Sequence, residues 1–143
     1  MKKTTVLIAE DDFLIVEGSL RPLLEPEFEI VGAVGDGLEA LAAAEENRPD
    51  VALLDVSLPG LRGFDVARQI LRKQPECKVL LVSCYSDSAY IQGAKDIGAS
   101  GYVLKNRVST ELVNAIRTAL AGQFYHPDLG TPKDGRGRKA GSI

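Results

Sequence analysis

The chain has no tryptophan, one histidine, one methionine and only two cysteines. Cys77 and Cys84 do not make a disulfide framework; each falls in or beside an apolar run, where a free thiol packs as a small hydrophobe. The single histidine, His126, reads as an exposed loop residue beside Pro127, and one histidine excludes zinc sites built on Cys and His. Long hydrophobic runs are missing as well. No stretch approaches the roughly 20 apolar residues that cross a bilayer. The N-terminal run, residues 6–9, stops at Glu10-Asp11-Asp12, short of the about 7–15 apolar residues of a secretory signal. A cytoplasmic protein without membrane contact is expected. Excess positive charge is also lacking: the net charge is −3, and the basic residues Lys133, Arg136, Arg138 and Lys139 gather in the last 17 residues, so the body is more acidic still. An acidic body argues against direct binding to nucleic acid.

What remains is an ordinary globular composition, 45% apolar and 26% charged over 143 residues, which suits one domain. The patterning alternates. Short apolar runs at 6–9, 28–34, 51–54, 78–83 and 101–104 read as strands, and helical spacing follows each of them at about 13–24, 38–46, 64–73, 87–97 and 109–121. Pro22 predicts a kink in the first helix or a tightening of its end, and Asp36 with Glu39 predicts an N-cap and its reciprocal acid for the second. Ser109 is expected to open the last helix and Gly122 to stop it. Strict alternation of five strands and five helices predicts an α/β fold: a doubly wound parallel sheet with helices on both faces. Right-handed crossovers bring every strand's C-terminal end to one edge, where such sheets bind ligands.

The residues arriving at that edge are Glu10, Asp11, Asp55, Ser83 and Lys105. Crowded carboxylates repel one another and call for a cation, and an all-oxygen set with vacant positions suits Mg²⁺. The lysine then balances a second anionic group and the hydroxyl donates to it. These parts match phosphoryl transfer, in which positioning and charge neutralisation do most of the catalysis and a carboxylate can be the acceptor.

Four segments in order, residues 6–12, 53–60, 79–83 and 98–105, resemble the receiver domain of two-component response regulators over roughly residues 4–122. The resemblance implies the flavodoxin-like strand order 2-1-3-4-5. It implies that Asp55 accepts a phosphoryl group from a sensor histidine kinase, and that Glu10, Asp11, Asp55 and the Ser57 backbone carbonyl hold Mg²⁺. Ser83 would take the place of the switch hydroxyl, Tyr102 that of the switch aromatic, turning inward on phosphorylation, and Lys105 that of the phosphate-pairing lysine. Such a chain is a signalling switch and not an enzyme in the ordinary sense, catalysing only its own phosphoryl transfer and dephosphorylation. Asp12 would face away or cap the first helix.

Two residues depart from the family pattern: Asn106 stands where proline often follows the lysine, and Cys84 where a small residue follows the switch serine. The resemblance further implies that Ser57 and Tyr85 flank the approach of water to the phosphoryl group. The short Ser57, the bulk of Cys84 and the cover of Tyr85 together predict slow dephosphorylation. Residues 109–122 resemble the last receiver helix of the NarL/FixJ-type transcriptional subfamily, which implies phosphorylation-dependent homodimerisation and DNA contact only through a helix-turn-helix domain. The stretch after Gly122 is too short for that domain. The expected division is a receiver at 1–125 and a flexible basic tail or truncated linker at 126–143. The competing reading is a Mg²⁺-dependent phosphohydrolase of the haloacid-dehalogenase kind with an Asp nucleophile. It wants a second Asp two residues after Asp55, where the chain has Ser57.

Overall fold

The computed structural model describes residues 2–129. Five strands, β1 (Thr5–Ala9), β2 (Glu29–Val34), β3 (Val51–Asp55), β4 (Lys78–Ser83) and β5 (Gly101–Leu104), form one parallel sheet in the order β2-β1-β3-β4-β5. Between and after them run α1 (residues 13–24), α2 (Gly37–Asn47), α3 (Gly63–Lys73), α4 (Ser88–Asp96) and α5 (Val108–Leu120).

The all-apolar strands follow from burial on both faces. Side chains alternate across the pleat, so Leu7, Ala9, Ala52, Leu54, Val79 and Leu81 face one layer with Ala40 and Ala44 of α2, Val66, Ala67 and Ile70 of α3 and Ile91 and Ala94 of α4. Val6, Ile8, Val51, Leu53 and Leu80 face the other layer, packing on Val16, Leu20 and Leu24 of α1 and Leu112, Ile116 and Ala119 of α5. The small residues of α2 let that helix lie close to the sheet.

Local signals decide the helix ends. The Asp36 carboxylate accepts the Glu39 amide at 2.7 Å and Glu39 Oε1 accepts the Gly35 amide at 3.3 Å, the reciprocal cap expected from the sequence. Gly122 adopts φ +87° just past α5, where a side chain would be strained.

The structure corrects four expectations. Pro22 does not simply kink α1; the turn before it, Val16–Leu20, is wound as a π turn, and Arg21–Leu24 resumes as α-helix with Pro22 in its first turn. A proline has no N–H to give to the preceding turn, and widening that turn accommodates the loss. Ser109 does not cap α5. A 3₁₀ turn, Lys105–Arg107, leads directly into Val108, and the peptide bonds of the described residues are all trans, so Asn106 enters the helix without a proline turn. Cys77 is buried as expected, but Cys84 is exposed and packs in no core. The chain also does not leave the body at residue 126. The Tyr102 amide donates to the Tyr125 carbonyl (3.1 Å) and the Tyr125 amide to the Ser100 carbonyl (2.9 Å), which lays residues 124–126 along the outer edge of β5. The Tyr125 hydroxyl donates to Glu111 Oε1 at 2.9 Å, Pro127 is buried, and Arg107 stands 3.8 Å from Asp128. The remainder of the expected tail, residues 130–143, lies outside the described residues.

Candidate phosphorylation site

Strand register sets the site. Ala9 pairs with Leu54, Asp55 with Val82 and Ser83 with Leu104, so Glu10, Asp55, Ser83 and Lys105 emerge at the same edge. Glu10, Asp11 and Asp55 each offer a carboxylate oxygen, and these oxygens all lie within 4.8 Å of one another. Glu10 and Asp55 are buried while Asp11 is exposed, so the cluster opens to solvent on the Asp11 side.

Asp12 does not join the cluster. Its Oδ1 accepts the amides of Leu14 (3.0 Å) and Ile15 (3.4 Å), capping α1, while its own amide donates to Glu10 Oε2 at 3.0 Å. The run of three acids is thereby divided: Glu10 and Asp11 face Asp55, and Asp12 is spent on the helix.

Lys105 Nζ stands 3.0 Å from Glu10 Oε1 and 3.0 Å from Asp55 Oδ2. Partial burial pulls its pKa down, but the bonds to Glu10 and Asp55 outweigh that and hold it above the ordinary lysine value. Burial pushes the Glu10 carboxyl up, with Lys105 and the Asp12 amide acting against the rise. Three carboxylates against one ammonium leave a negative excess beside open space. That donor set, all hard oxygen, fits a small divalent cation that keeps some of its water, and Glu10, Asp11 and Asp55 are the residues able to hold it.

The remaining expected residues surround this centre. The Ser57 amide donates to Asp55 Oδ1 at 3.0 Å, fixing the carboxylate's orientation. Ser83 is buried, and its Oγ accepts the Tyr85 amide at 2.9 Å. Tyr102 is fully buried, with its hydroxyl donating to the Tyr85 carbonyl at 2.7 Å. Burial raises the Tyr102 phenol's pKa, and the nearby Ser83 hydroxyl works the other way. Tyr85 is half exposed and stacks on Tyr90 with ring centroids 5.1 Å apart.

Sequence reasoning passed over Gly63. A Cβ there would meet the Asp55 carbonyl oxygen, with the Val56 Cα only 2.9 Å away, so α3 can begin against the end of β3 only with glycine at this place. A glycine at the first position of a helix that follows an acidic strand end was the available signal.

Residues 6–117 match the response regulator receiver domain family. The transcriptional regulatory protein DegU of Brevibacillus brevis is 36% identical over 129 residues, covering 89% of this chain and 55% of its own length. Among solved structures, a LuxR-family two-component response regulator from Aurantimonas sp. SI85-9A1 superposes with a TM-score of 0.81 at 32% identity, over 87% of this chain and 89% of that one. The signal receiver domain of the response regulator NarL from Mycobacterium tuberculosis does so with a TM-score of 0.77 at 35% identity, over 86% and 100%. The chain thus spans about half the length of the curated relatives it matches. These relatives support the NarL/FixJ-type likeness and lend nothing to the phosphohydrolase alternative.

Proposed function

The chain belongs to the response regulator receiver domain family, and from that premise we propose that it is a Mg²⁺-dependent signalling switch whose phosphoacceptor is Asp55. One observation carries the assignment. Asp55 is the buried carboxylate at the end of the central strand, with one oxygen on Lys105 and the other on the Ser57 amide, inside the Glu10–Asp11 cluster.

In the proposed transfer, an Asp55 carboxylate oxygen attacks the phosphorus of a phosphohistidine on a sensor kinase. The new O–P bond forms as the P–N bond breaks, and the leaving imidazole takes up a proton. When bound, Mg²⁺ supplies charge neutralisation for the phosphoryl oxygens. Glu10 and Asp11 hold it together with Asp55 and, as the family likeness implies, the Ser57 carbonyl. Lys105 exchanges its bond to Asp55 for one to a phosphoryl oxygen, and the Ser83 hydroxyl donates a hydrogen bond to another. Because the Ser83 oxygen now accepts the Tyr85 amide, and the Tyr85 carbonyl accepts the Tyr102 hydroxyl, a moved Ser83 disturbs the β4–α4 loop and Tyr102 together.

We further propose a cytoplasmic setting, where a sensor histidine kinase would be met, phosphorylation-dependent homodimerisation, and control of transcription through a DNA-binding part like those of the longer regulators it resembles. The dephosphorylation step is assigned to the same site, with Ser57, Cys84 and Tyr85 setting its rate. The experiment is intact-mass spectrometry after incubation with acetyl phosphate and Mg²⁺. The parent should gain one phosphoryl group and Asp55→Asn none. Equal gain in both would overturn the assignment.

A further inference from the structure

Beside the proposed phosphorylation site, between the start of α3 and α4, lies a cleft of about 670 Å³ that shares only Ser57 and Tyr85 with it. Its floor is Val56 and Leu58, and its walls are aromatic: Phe64, Tyr85 and Tyr90. Tyr85 and Tyr90 stack at an interplanar angle of 17°, and Phe64 lies 6.3 Å from Tyr90, so the three rings make a continuous wall. Gly93 lines the cleft beside Phe64.

The rim carries two arginines. Arg68 is paired with Asp65 at 2.6 Å. Arg62 is exposed, and among the described residues it has no acidic partner within ion-pair distance. An aromatic wall with an uncommitted guanidinium above it suits a flat ring that carries negative charge. The ring gains stacking and apolar burial, and the anion gains a planar donor that matches carboxylate and phosphate geometry.

We propose that this cleft is a binding site for a planar aromatic anion, either an aryl carboxylate or a nucleotide, with the ring against Tyr85 and Tyr90 and the charge on Arg62. The site communicates with the switch, because Ser57 and Tyr85 line both: the Ser57 amide holds Asp55, and the Tyr85 backbone holds Ser83 and Tyr102. Occupancy fixes the Tyr85 ring and so biases the loop that Ser83 must move. Binding itself does not depend on Asp55 being the phosphoacceptor, so it is tested separately.

The test is a titration of the full chain, followed by amide NMR shifts and calorimetry, with 2-naphthoate, GMP and inorganic phosphate. Either aromatic anion should saturate, shifting Leu58, Phe64, Ala89 and Gly93, and the tighter of the two identifies the source. Affinity should fall as salt is raised. Tyr90→Leu and Arg62→Gln should each weaken binding roughly tenfold or more. Both variants should keep the parent's amide shifts in β1, β3 and α5, which shows that they fold whether or not Asp55 is the phosphoacceptor. Three results would overturn the proposal: no saturation by either aromatic anion at millimolar concentration, undiminished binding in both variants, or phosphate alone competing as well as the aromatic anions.

Discussion

The Tyr102 hydroxyl donates to the Tyr85 carbonyl across 2.7 Å, joining strand β5 to the loop that follows the Ser83 hydroxyl. Removing that hydroxyl with Tyr102→Phe should cost about 1 kcal/mol of stability, the usual net worth of one hydrogen bond. It should also loosen the loop specifically. Urea denaturation measures the first effect, and faster amide exchange at Tyr85, with β1 and β3 unchanged, measures the second. Uniform exchange across the sheet would argue against a local link.

The divided acids give a paired prediction. Asp11→Ala should weaken Mg²⁺ binding by about tenfold or more, since its carboxylate faces the cluster. Asp12→Ala should leave Mg²⁺ affinity nearly intact and instead cost about 1 kcal/mol of stability through the lost cap on α1. Calorimetric titration with thermal melts separates the two. The reverse pattern would make Asp12 the metal ligand.

The lifetime of the phosphorylated form should depend on Tyr85. Its ring is stacked on Tyr90, and it lines with Ser57 the cleft beside the proposed site. Hydrolysis needs a water in line with the breaking P–O bond, so Tyr85→Ala should shorten the half-life several-fold once donor is removed. Decay at the parent rate would show that the ring shields nothing.

The two thiols should differ sharply toward a disulfide reagent such as DTNB. Cys84 is exposed and should react at once. Burial pushes the Cys77 thiol up to about 12 and hides it, so at pH 8 it should react at least about a hundredfold more slowly, until denaturant is added. Two fast thiols in the native protein would place Cys77 outside the core.

Alkali should weaken the protein through Tyr125. Burial and its bond to Glu111 push the Tyr125 phenol up to about 12, above its ordinary value near 10. A raised pKa means that the folded state keeps its proton longer than the unfolded chain does. The stabilising contribution is complete below about pH 10 and is lost as pH climbs toward 12. Lys105 titrates in the same direction, so the diagnostic is the difference between the parent and Tyr125→Phe. The parent's stability should fall more steeply over that window, and parallel curves would refute the coupling.

Much of this was legible in the chain. Apolar runs ending in Asp55, Ser83 and Lys105 announce a buried parallel sheet with a functional edge, because a doubly covered strand tolerates polar residues only where it emerges. The reciprocal cap at Asp36 and Glu39 is local chemistry, and so was readable. Other features depend on neighbours far away in sequence. The exposure of Cys84 is set by how the loop after β4 turns outward. The inward Tyr102 depends on the Tyr85 carbonyl being there to receive it. The π turn in α1 resolves a conflict between a proline and a continuous apolar face, which periodicity alone does not decide. The path of residues 124–126 was hidden for the same reason: it rests on a close approach to Gly101, where an added Cβ would come within 3.0 Å of the Tyr125 Cβ.

That close approach bears on how the domain can be cut and transplanted. Strand β5 would otherwise be a bare margin, its backbone groups open to pairing with any extended chain. Tyr125 closes it from within, while Phe124 packs on the core beneath the Lys95 ammonium, 5.4 Å from the ring centroid. A fragment trimmed at Gly122, where the last helix stops, would carry every residue of the proposed phosphorylation site yet expose an adhesive sheet margin. A graft that is to stay monodisperse in a chimeric regulator must therefore retain the sequence through Asp128.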